Sequence, residues 1–260
     1  MTSQNELITV GETIPSNLLN QTVLLSQANN LLDTMLDFKD LMLEYTAAIR
    51  LIRTNLEILD TEFQTRYQRN PISSIQTRLK SQTSIMEKMS RLGVPITKEN
   101  IETNLHDIAG IRVICSYIDD IYRLADSLLN MPNIELIQKK DYIQNPKPNG
   151  YRSLHLIVRT PVCFAESVKM VEAEIQIRTI AMDFWASLEH QIKYKKHLND
   201  PGKIAAQLKQ CADDIARNDA MMQRIRIEMD EIKSEKSDLE QIQEKLKRFD
   251  ASLGNFETKL

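Results

Sequence analysis

The chain has 260 residues, of which 42% are hydrophobic, and it carries a formal net charge of −3. This balance is typical of a globular protein with one sizeable apolar core, and it excludes nucleic-acid binding through bulk positive charge, so that any anion site must be a local cationic cluster. With only 6 glycines and 8 prolines among abundant Leu, Ile, Met, Lys, Glu and Gln, the composition predicts a helix-rich fold.

The cysteines and the absence of long apolar runs indicate the compartment. Cys115, Cys163 and Cys211 are odd in number and widely spaced, and they match neither a zinc-binding pattern nor a disulfide framework. This usage fits a reducing cytosol. No secretory leader is visible, and no apolar run approaches the ~20 residues that a membrane helix needs. We therefore expect a cytoplasmic protein without a membrane partner, and a flexible N-terminus over residues 1–16.

Helix and strand patterns alternate along the chain. Apolar residues at three- and four-residue steps predict helices over about residues 17–69, 81–91, 119–129 and 180–195. Period-two alternation predicts strands over about residues 72–80, 110–117, 134–143, 152–160 and 171–179. The pattern predicts an α+β fold, in which five strands are flanked by helices.

The tail after the turn at residues 199–202 is also predicted to be helical. Its apolar residues fit a heptad with polar breaks at Asn218 and Lys236, and the spacing slips around Leu239. Two readings stay open, a helical hairpin and a helix that packs against a partner.

One polar segment, Asp141 to His155 (DYIQNPKPNGYRSLH), combines cations, an amide, an aromatic ring and backbone breakers. Such a segment is suited to holding a nucleotide, because a ring can stack on a base while cations meet phosphates. An ordinary charged turn is the alternative, and the segment by itself does not decide between the two.

Cations and carboxylates elsewhere suggest a polyphosphate site. The cations at the end of the first predicted strand and on the next helix are Arg78, Lys80, Lys88 and Arg91. They lie near the free amides of a helix start, which also attract anions, although a solvated face is the common alternative. Asp107, before an apolar strand, is either a turn residue or a Mg²⁺ ligand. Glu174, Gln176 and Arg178 share one strand face that lines either a cleft or solvent.

Two other nucleotide-related classes are rejected. His106-Asp107 matches the core of the HD phosphohydrolases, but these need further His and acidic ligands that the four histidines of this chain do not supply. No Gly-rich GK[ST] segment is present, which excludes a P-loop kinase.

Four motifs in order resemble one family: TRLK with the following SI and Lys88, HDIAGIRVIC, DYIQNPKPNGYRSLH, and AEIQIRTIAMDFWASLEHQIKYK. They closely resemble the synthetase domain of the RelA/SpoT homologues over roughly Thr61 to Lys196. The resemblance implies a nucleotidyltransferase-like fold with a mixed sheet, here with long N- and C-terminal helices. It also implies transfer of the pyrophosphoryl group of ATP to the 3′-hydroxyl of GDP or GTP, giving ppGpp or pppGpp and AMP. The chain then divides into a flexible N-terminus (1–16), a synthetase domain (17–200) and a helical oligomerisation region (201–260).

The resemblance carries site residues with it. Asp107 and Glu174 are the implied catalytic residues and Mg²⁺ ligands. The implied ATP contacts are Arg78, Lys80, Ser84, Lys88, Arg91 and Arg112, the last stacked on adenine. The implied GDP or GTP contacts are Lys140, Lys147, Asn149, Tyr151, Arg152, His155 and Gln176, with Tyr151 stacked on guanine. Lys140 stands where some members carry an arginine, which leaves the choice between GDP and GTP open.

Two other functions stay open beside alarmone synthesis. One is a toxic small synthetase that pyrophosphorylates the 3′ end of tRNA with the same two carboxylates. The other is a catalytically dead oligomer that binds nucleotides or RNA. The small members of the family imply a homotetramer, and an allosteric alarmone and single-stranded RNA remain candidate partners.

Overall fold

The structure is a computed structural model that describes residues 16–67, 69–194 and 201–257. The helices are α1 (Ser16–Tyr67), α2 (Gln82–Leu92), α3 (Lys98–Asn104), α4 (Ile118–Leu129), α5 (Ile180–Tyr194) and α6 (Pro201–Glu257). The strands are β1 (Ile72–Leu79), β2 (Ala109–Cys115), β3 (Glu135–Asp141), β4 (Leu154–Cys163) and β5 (Val168–Thr179). Apart from Ser16, the N-terminal segment predicted to be flexible lies outside the described residues.

The five strands form one sheet in the order β1-β2-β5-β4-β3. The β2–β5 pair is parallel and the other pairs are antiparallel, so the expected mixed sheet is confirmed. Alternation along β2, β4 and β5 turns one set of apolar side chains to a buried face. Most of the polar side chains lie on the other face, together with Ile114 and Ile157. The polar face carries the predicted site residues that lie on strands, namely Arg78, Arg112, Lys140, His155, Glu174 and Gln176.

Helix α1 covers the apolar face of the sheet. Its buried residues recur at three- and four-residue steps and form one stripe: Leu41, Tyr45, Ala48, Ile52, Leu56 and Leu59. Helix α4 adds a second buried stripe to the same core with Ile121, Leu124 and Leu128. Because α1 and α4 both pack on the apolar face, they leave the polar face of the sheet available for a ligand.

Two features differ from the sequence-based expectations. Helix α3 was not predicted, because its seven residues are too few to show a helical period. The residue before it, Thr97, is its N-cap, and the Thr97 hydroxyl accepts a hydrogen bond from the Asn100 amide. The hairpin reading of the tail is wrong, since α6 runs as one helix of 57 residues. Its first turns pack Leu208, Ala212 and Ile215 against α5.

Within the described residues, no helix has both the length and the apolar character needed to traverse a bilayer.

Candidate active site

The polar face of the sheet aligns predicted site residues in two neighbouring rows. In one row, successive cross-strand partners from β1 to β3 are Gln76, Arg112, Gln176, His155 and Lys140. In the adjacent row they are Arg78, Gly110, Glu174, Ile157 and Gln138. Residues in register on one face are direct neighbours, so three motifs that are distant in sequence meet on this surface.

A cleft of about 260 Å³ opens over the β1, β2 and β5 part of these rows. Its lining residues are Gln76, Thr77, Arg78, Lys80, Asp107, Gly110, Ile111, Arg112, Glu174 and Gln176. Gly110 lets the strands approach here, because a Cβ at this position would lie 3.3 Å from the Arg78 carbonyl oxygen. The cleft therefore joins both predicted carboxylates to part of the predicted cationic cluster.

Asp107 is paired with two lysines in the described structure. Lys80 Nζ donates to Asp107 Oδ2 at 2.7 Å, and Lys88 Nζ donates to Oδ1 at 2.8 Å. Burial acts to raise the pKa of Asp107, but the two lysines outweigh it and hold the pKa below its ordinary value of 3.8. These contacts stabilise the fold at neutral pH, and their contribution is lost only as the pH falls through this lowered pKa.

Glu174 accepts two hydrogen bonds at the centre of the polar face. His155 Nδ1 lies 3.1 Å from Glu174 Oε1, and Gln176 Nε2 donates to Oε2 at 2.9 Å. Burial acts to raise the pKa of Glu174, but the hydrogen bonds from His155 and Gln176 outweigh burial and keep the pKa below its ordinary value. Glu174 is thus held as a carboxylate that faces the cleft.

A closed ring of hydrogen bonds fixes this carboxylate. Arg178 Nη2 donates to the Tyr151 hydroxyl at 2.6 Å and to Gln176 Oε1 at 2.7 Å. The Tyr151 hydroxyl lies 2.8 Å from His155 Nε2, which completes the path to Glu174. Because an ionised carboxylate only accepts, we assign the proton to His155 Nδ1, so that Nε2 accepts from Tyr151. Burial raises the pKa of Tyr151, which keeps the proton that this bond needs.

Arg178 and Asp183 are site residues that the sequence analysis did not assign. Arg178 is only 4% exposed, and its Nη1 donates to Asp183 Oδ1 at 3.2 Å. The same Asp183 oxygen lies 3.6 Å from Arg112 Nη1, so Asp183 connects the buried Arg178 to a cation that lines the cleft. The sequence contained one signal for Arg178. It follows Gln176 by two residues and Glu174 by four, so all three side chains lie on one face of the strand.

Aromatic side chains cluster around Tyr151 beside the cleft. Tyr142, which the sequence analysis also left unassigned, lies edge-on to His155 at 5.2 Å and to Tyr151 at 6.0 Å between ring centroids. Lys147 Nζ lies 4.5 Å from the Tyr142 centroid and 4.9 Å from that of Tyr151. Asn149 Nδ2 donates to Glu189 Oε1 at 3.0 Å on α5. The cluster combines ring faces with a cation, as a base and a phosphate require.

Four further predicted residues belong neither to the cleft lining, nor to the lysine pair of Asp107, nor to the aromatic cluster around Tyr151. Ser84 is at the start of α2, where its amide donates to the N-cap Ser81 and its hydroxyl oxygen accepts from the Ser81 hydroxyl at 2.9 Å. Arg91 lines a separate depression with residues of α2 and with Ile96. Lys140 is exposed on the edge strand β3, in register with His155. Arg152 is directed to α6 through the Ala212 carbonyl and Asp213.

The site indicates a class of protein, and known proteins similar to this chain indicate its family. A mixed sheet with cations and two carboxylates on one face is an arrangement suited to phosphoryl transfer. Residues 77–199 match the family described as "Region found in RelA / SpoT proteins". GTP pyrophosphokinase YwaC of Bacillus subtilis is 44% identical over 202 residues, which cover 78% of this chain and 96% of that protein. The chain therefore belongs to the RelA/SpoT family.

Solved structures agree with this assignment. The crystal structure of small alarmone synthetase 2 from Bacillus subtilis matches with a TM-score of 0.67 at 44% identity, covering 74% of this chain and 99% of that chain. Small alarmone synthetase 1 from the same organism, bound to its product pppGpp, matches with a TM-score of 0.65 at 36% identity, covering 71% and 93%. The fold predicted from the sequence is thereby confirmed as that of the small alarmone synthetases.

Proposed function

We propose that the protein is a GTP pyrophosphokinase, which transfers the pyrophosphoryl group of ATP to the 3′-hydroxyl of GDP or GTP and releases AMP. The observation that carries this proposal is the position of Glu174, whose carboxylate faces the cationic cleft on one side and is bonded to the Tyr151–His155 pair on the other. Further support comes from YwaC, which is named a GTP pyrophosphokinase, and from the relative bound to pppGpp.

The ATP half of the site consists of the cleft and the start of α2. Lys80 and Lys88 compensate the charge of Asp107. Polyphosphate oxygens are equivalent acceptors for these ammonium groups, so ATP binding releases Asp107 from both lysines. Arg78 and Arg112 line the same cleft and supply further positive charge, and the flat guanidinium of Arg112 is suited to stacking on adenine.

Mg²⁺ fits the two carboxylates together with substrate. Among the described residues, no group of three or more His, Cys, Asp or Glu side chains is arranged to hold a metal ion. Mg²⁺ commonly takes only one or two carboxylates and completes its shell with phosphate oxygens and water, and Asp107 and Glu174 line one cleft in ionised form. Bound there, it would neutralise charge on the transferred pyrophosphoryl group.

We assign the acceptor half to the aromatic cluster of Tyr151 and His155 with the neighbouring Lys147. Guanine stacked on Tyr151 directs its ribose toward Glu174, since the ring and the carboxylate are joined through His155. Glu174 then accepts the proton of the 3′-hydroxyl as that oxygen attacks the β-phosphorus of ATP. Cations of the cleft stabilise the charge spread over the phosphate oxygens.

The direct test is product identification with labelled ATP, Mg²⁺ and either GDP, GTP or bulk tRNA. We expect AMP together with ppGpp from GDP or pppGpp from GTP. Product on the tRNA 3′ end alone would instead make the protein a tRNA-modifying synthetase. Nucleotide binding without any turnover would make it a binding module. The assay also decides between GDP and GTP, and the same preparation can be tested with alarmone and single-stranded RNA as effectors.

Free thiols at Cys115, Cys163 and Cys211 support a cytoplasmic location.

Changes at Tyr151 are expected to separate stacking from hydrogen bonding. Tyr151→Ala removes the ring, so we expect a higher KM for the guanine nucleotide with nearly unchanged KM for ATP; a stacking contact contributes roughly 0.5–1.5 kcal/mol beyond its area burial. Tyr151→Phe keeps the ring and removes the hydroxyl that bonds His155, so kcat should fall with little change in KM. Steady-state kinetics with each substrate varied measures both. Tyr67→Ala, an exposed ring on α1, is the control. Equal KM increases for ATP and acceptor would assign Tyr151 to support of the whole site.

We also propose that α6 joins subunits, with a homotetramer as the expected assembly. Large apolar side chains stay exposed along its middle, namely Met222, Ile225, Met229 and Ile232. Such a stripe on a stable protein indicates an interaction surface. Light scattering at micromolar concentration should give a multiple of the chain mass for the wild type and a lower mass for Met229→Glu. Arg224→Glu, at an exposed polar position of the same helix, is the control and should leave the mass unchanged. A monomer mass for the wild type would contradict the oligomer proposal and would leave the active-site proposal untouched.

A further inference from the structure

The first turns of α6 contact the segment that carries the proposed guanosine contacts. Arg152 Nη1 donates to the Ala212 carbonyl at 3.2 Å and to the Gly150 carbonyl at 3.0 Å, and its Nη2 donates to Asp213 Oδ1 at 3.1 Å. The side chain of Arg152 is only 17% exposed. The second oxygen of Asp213 accepts from Lys209 at 2.9 Å, which fixes the carboxylate toward the loop. Arg152 thus links the loop to the helix.

The backbone of the loop lies directly against the helix at Gly150. This residue has a φ of +91°, and a Cβ built there would lie 2.6 Å from Ala212 Cβ and 3.5 Å from Lys209 Cα. Only about 10 Å³ of space remains among Gly150, Arg152 and the facing residues of α5 and α6. A glycine is needed both for the backbone conformation and for this close approach.

The clamped positions enclose the residues proposed to bind guanosine. Gly150 N donates to the Lys147 carbonyl at 2.8 Å, and Lys147 N donates to the Tyr151 carbonyl at 3.2 Å. The Asn149 side chain accepts from Tyr151 N at 3.3 Å. Holding Gly150 and Arg152 therefore holds the whole turn from Lys147 to Tyr151.

We propose that Arg152 and Asp213 are positioning residues of the acceptor site: together they keep the Lys147–Tyr151 turn in the conformation that receives a guanine nucleotide. Docking of α6 and acceptor binding are then coupled. A change that loosens the contact of α6 with the turn lowers the affinity for the guanine nucleotide and leaves the affinity for ATP unaffected. This inference rests on the proposed function, because it takes the turn as the guanosine site.

The competing assignment gives the opposite result. If Arg152 were a phosphate ligand of the acceptor, Asp213 would compete with that phosphate for the guanidinium. Removing the charge at Asp213 would then free Arg152 and lower the KM for the acceptor. If Arg152 and Asp213 position the turn, removing the charge at Asp213 raises the KM for the acceptor.

The decisive variant is Asp213→Asn, with Asp214→Asn as its matched control. Asparagine keeps the size of residue 213 and weakens the charged contact to Arg152. The neighbouring Asp214 is bonded to Gln210 and Arg217 within α6 and does not face the loop. We expect Asp213→Asn to raise the KM for GDP or GTP about fivefold, as for a partly exposed ion pair, with unchanged KM for ATP and nearly unchanged kcat. The control should match the wild type.

A second measurement reports the docking itself. Trp185 is the only tryptophan of the chain, and its indole nitrogen donates to the Leu208 carbonyl on α6 at 2.8 Å. Its emission should respond to GDP in the wild type, and Asp213→Asn should need about fivefold more GDP for the same response. This titration needs no turnover, so wild-type protein that responds to GDP without forming product would contradict the proposed function and still test the inference. An unchanged or lower GDP requirement in Asp213→Asn, or no response of the wild type to GDP, would overturn the inference.

Discussion

Replacing Glu174 by glutamine is expected to lower kcat by about 10²–10⁴-fold while the protein stays folded. Glutamine cannot take the proton of the attacking hydroxyl and is a weaker ligand for Mg²⁺. The fold should persist, because His155 still donates to the side-chain oxygen. The amide nitrogen of the new glutamine would face Gln176 Nε2, which donates to Glu174 in the wild type. Two N–H donors would then meet, so one hydrogen bond is lost. We expect the free energy of unfolding to fall by about 1 kcal/mol or less.

The matched control for this variant is Glu172→Gln. Glu172 lies two residues earlier on the same face of β5, but it bonds His106 and Arg159 away from the cleft. Rates of AMP formation and thermal unfolding curves should be measured for both variants. If Glu174→Gln keeps its rate within tenfold while remaining folded, Glu174 is neither base nor metal ligand. If both variants lose the same activity, the cause is strand β5 in general rather than the carboxylate in the cleft.

Much of the fold could be predicted from local patterns. Strand β5 was recognisable because Ala173, Ile175 and Ile177 alternate with polar residues, and α2 because Ser81 caps a short amphipathic run. Helix α3 has too few residues to show a period, and only the Thr97 cap marks it. What the sequence could not reveal about α6 is that it stays one helix through the slip near Leu239.

The site residues that were missed depend on contacts across the fold. Arg178 was visible on the polar face of β5, but its bond to Tyr151 requires the register of β4 and β5 and the position of the preceding turn. The partner of Arg152 is 61 residues away on α6, and no short-range pattern relates the two. A motif therefore predicts which residue types gather at the site, whereas strand register and helix docking decide which of them face the ligand.

Replacing Asp107 by asparagine is expected to affect turnover and Mg²⁺-free binding in opposite directions. Turnover should fall by about 10²-fold or more, because a proposed metal ligand is lost where charge develops on phosphate oxygens. In a metal chelator, however, ATP should bind more tightly. Lys80 and Lys88 no longer have a carboxylate partner, and the cleft gains one unit of positive charge. Calorimetry in the chelator should show an affinity gain of about fivefold.

Asp126→Asn, an exposed site on α4, makes the same change of charge far from these lysines and should alter neither quantity. Full turnover in Asp107→Asn would exclude this carboxylate as a metal ligand. Weaker ATP binding in the chelator would mean that Asp107 is needed to orient Lys80 and Lys88 toward the phosphates. The two measurements therefore distinguish a carboxylate that acts on the reacting phosphates from one that only organises its neighbours, since only the first role predicts lower turnover together with tighter metal-free binding.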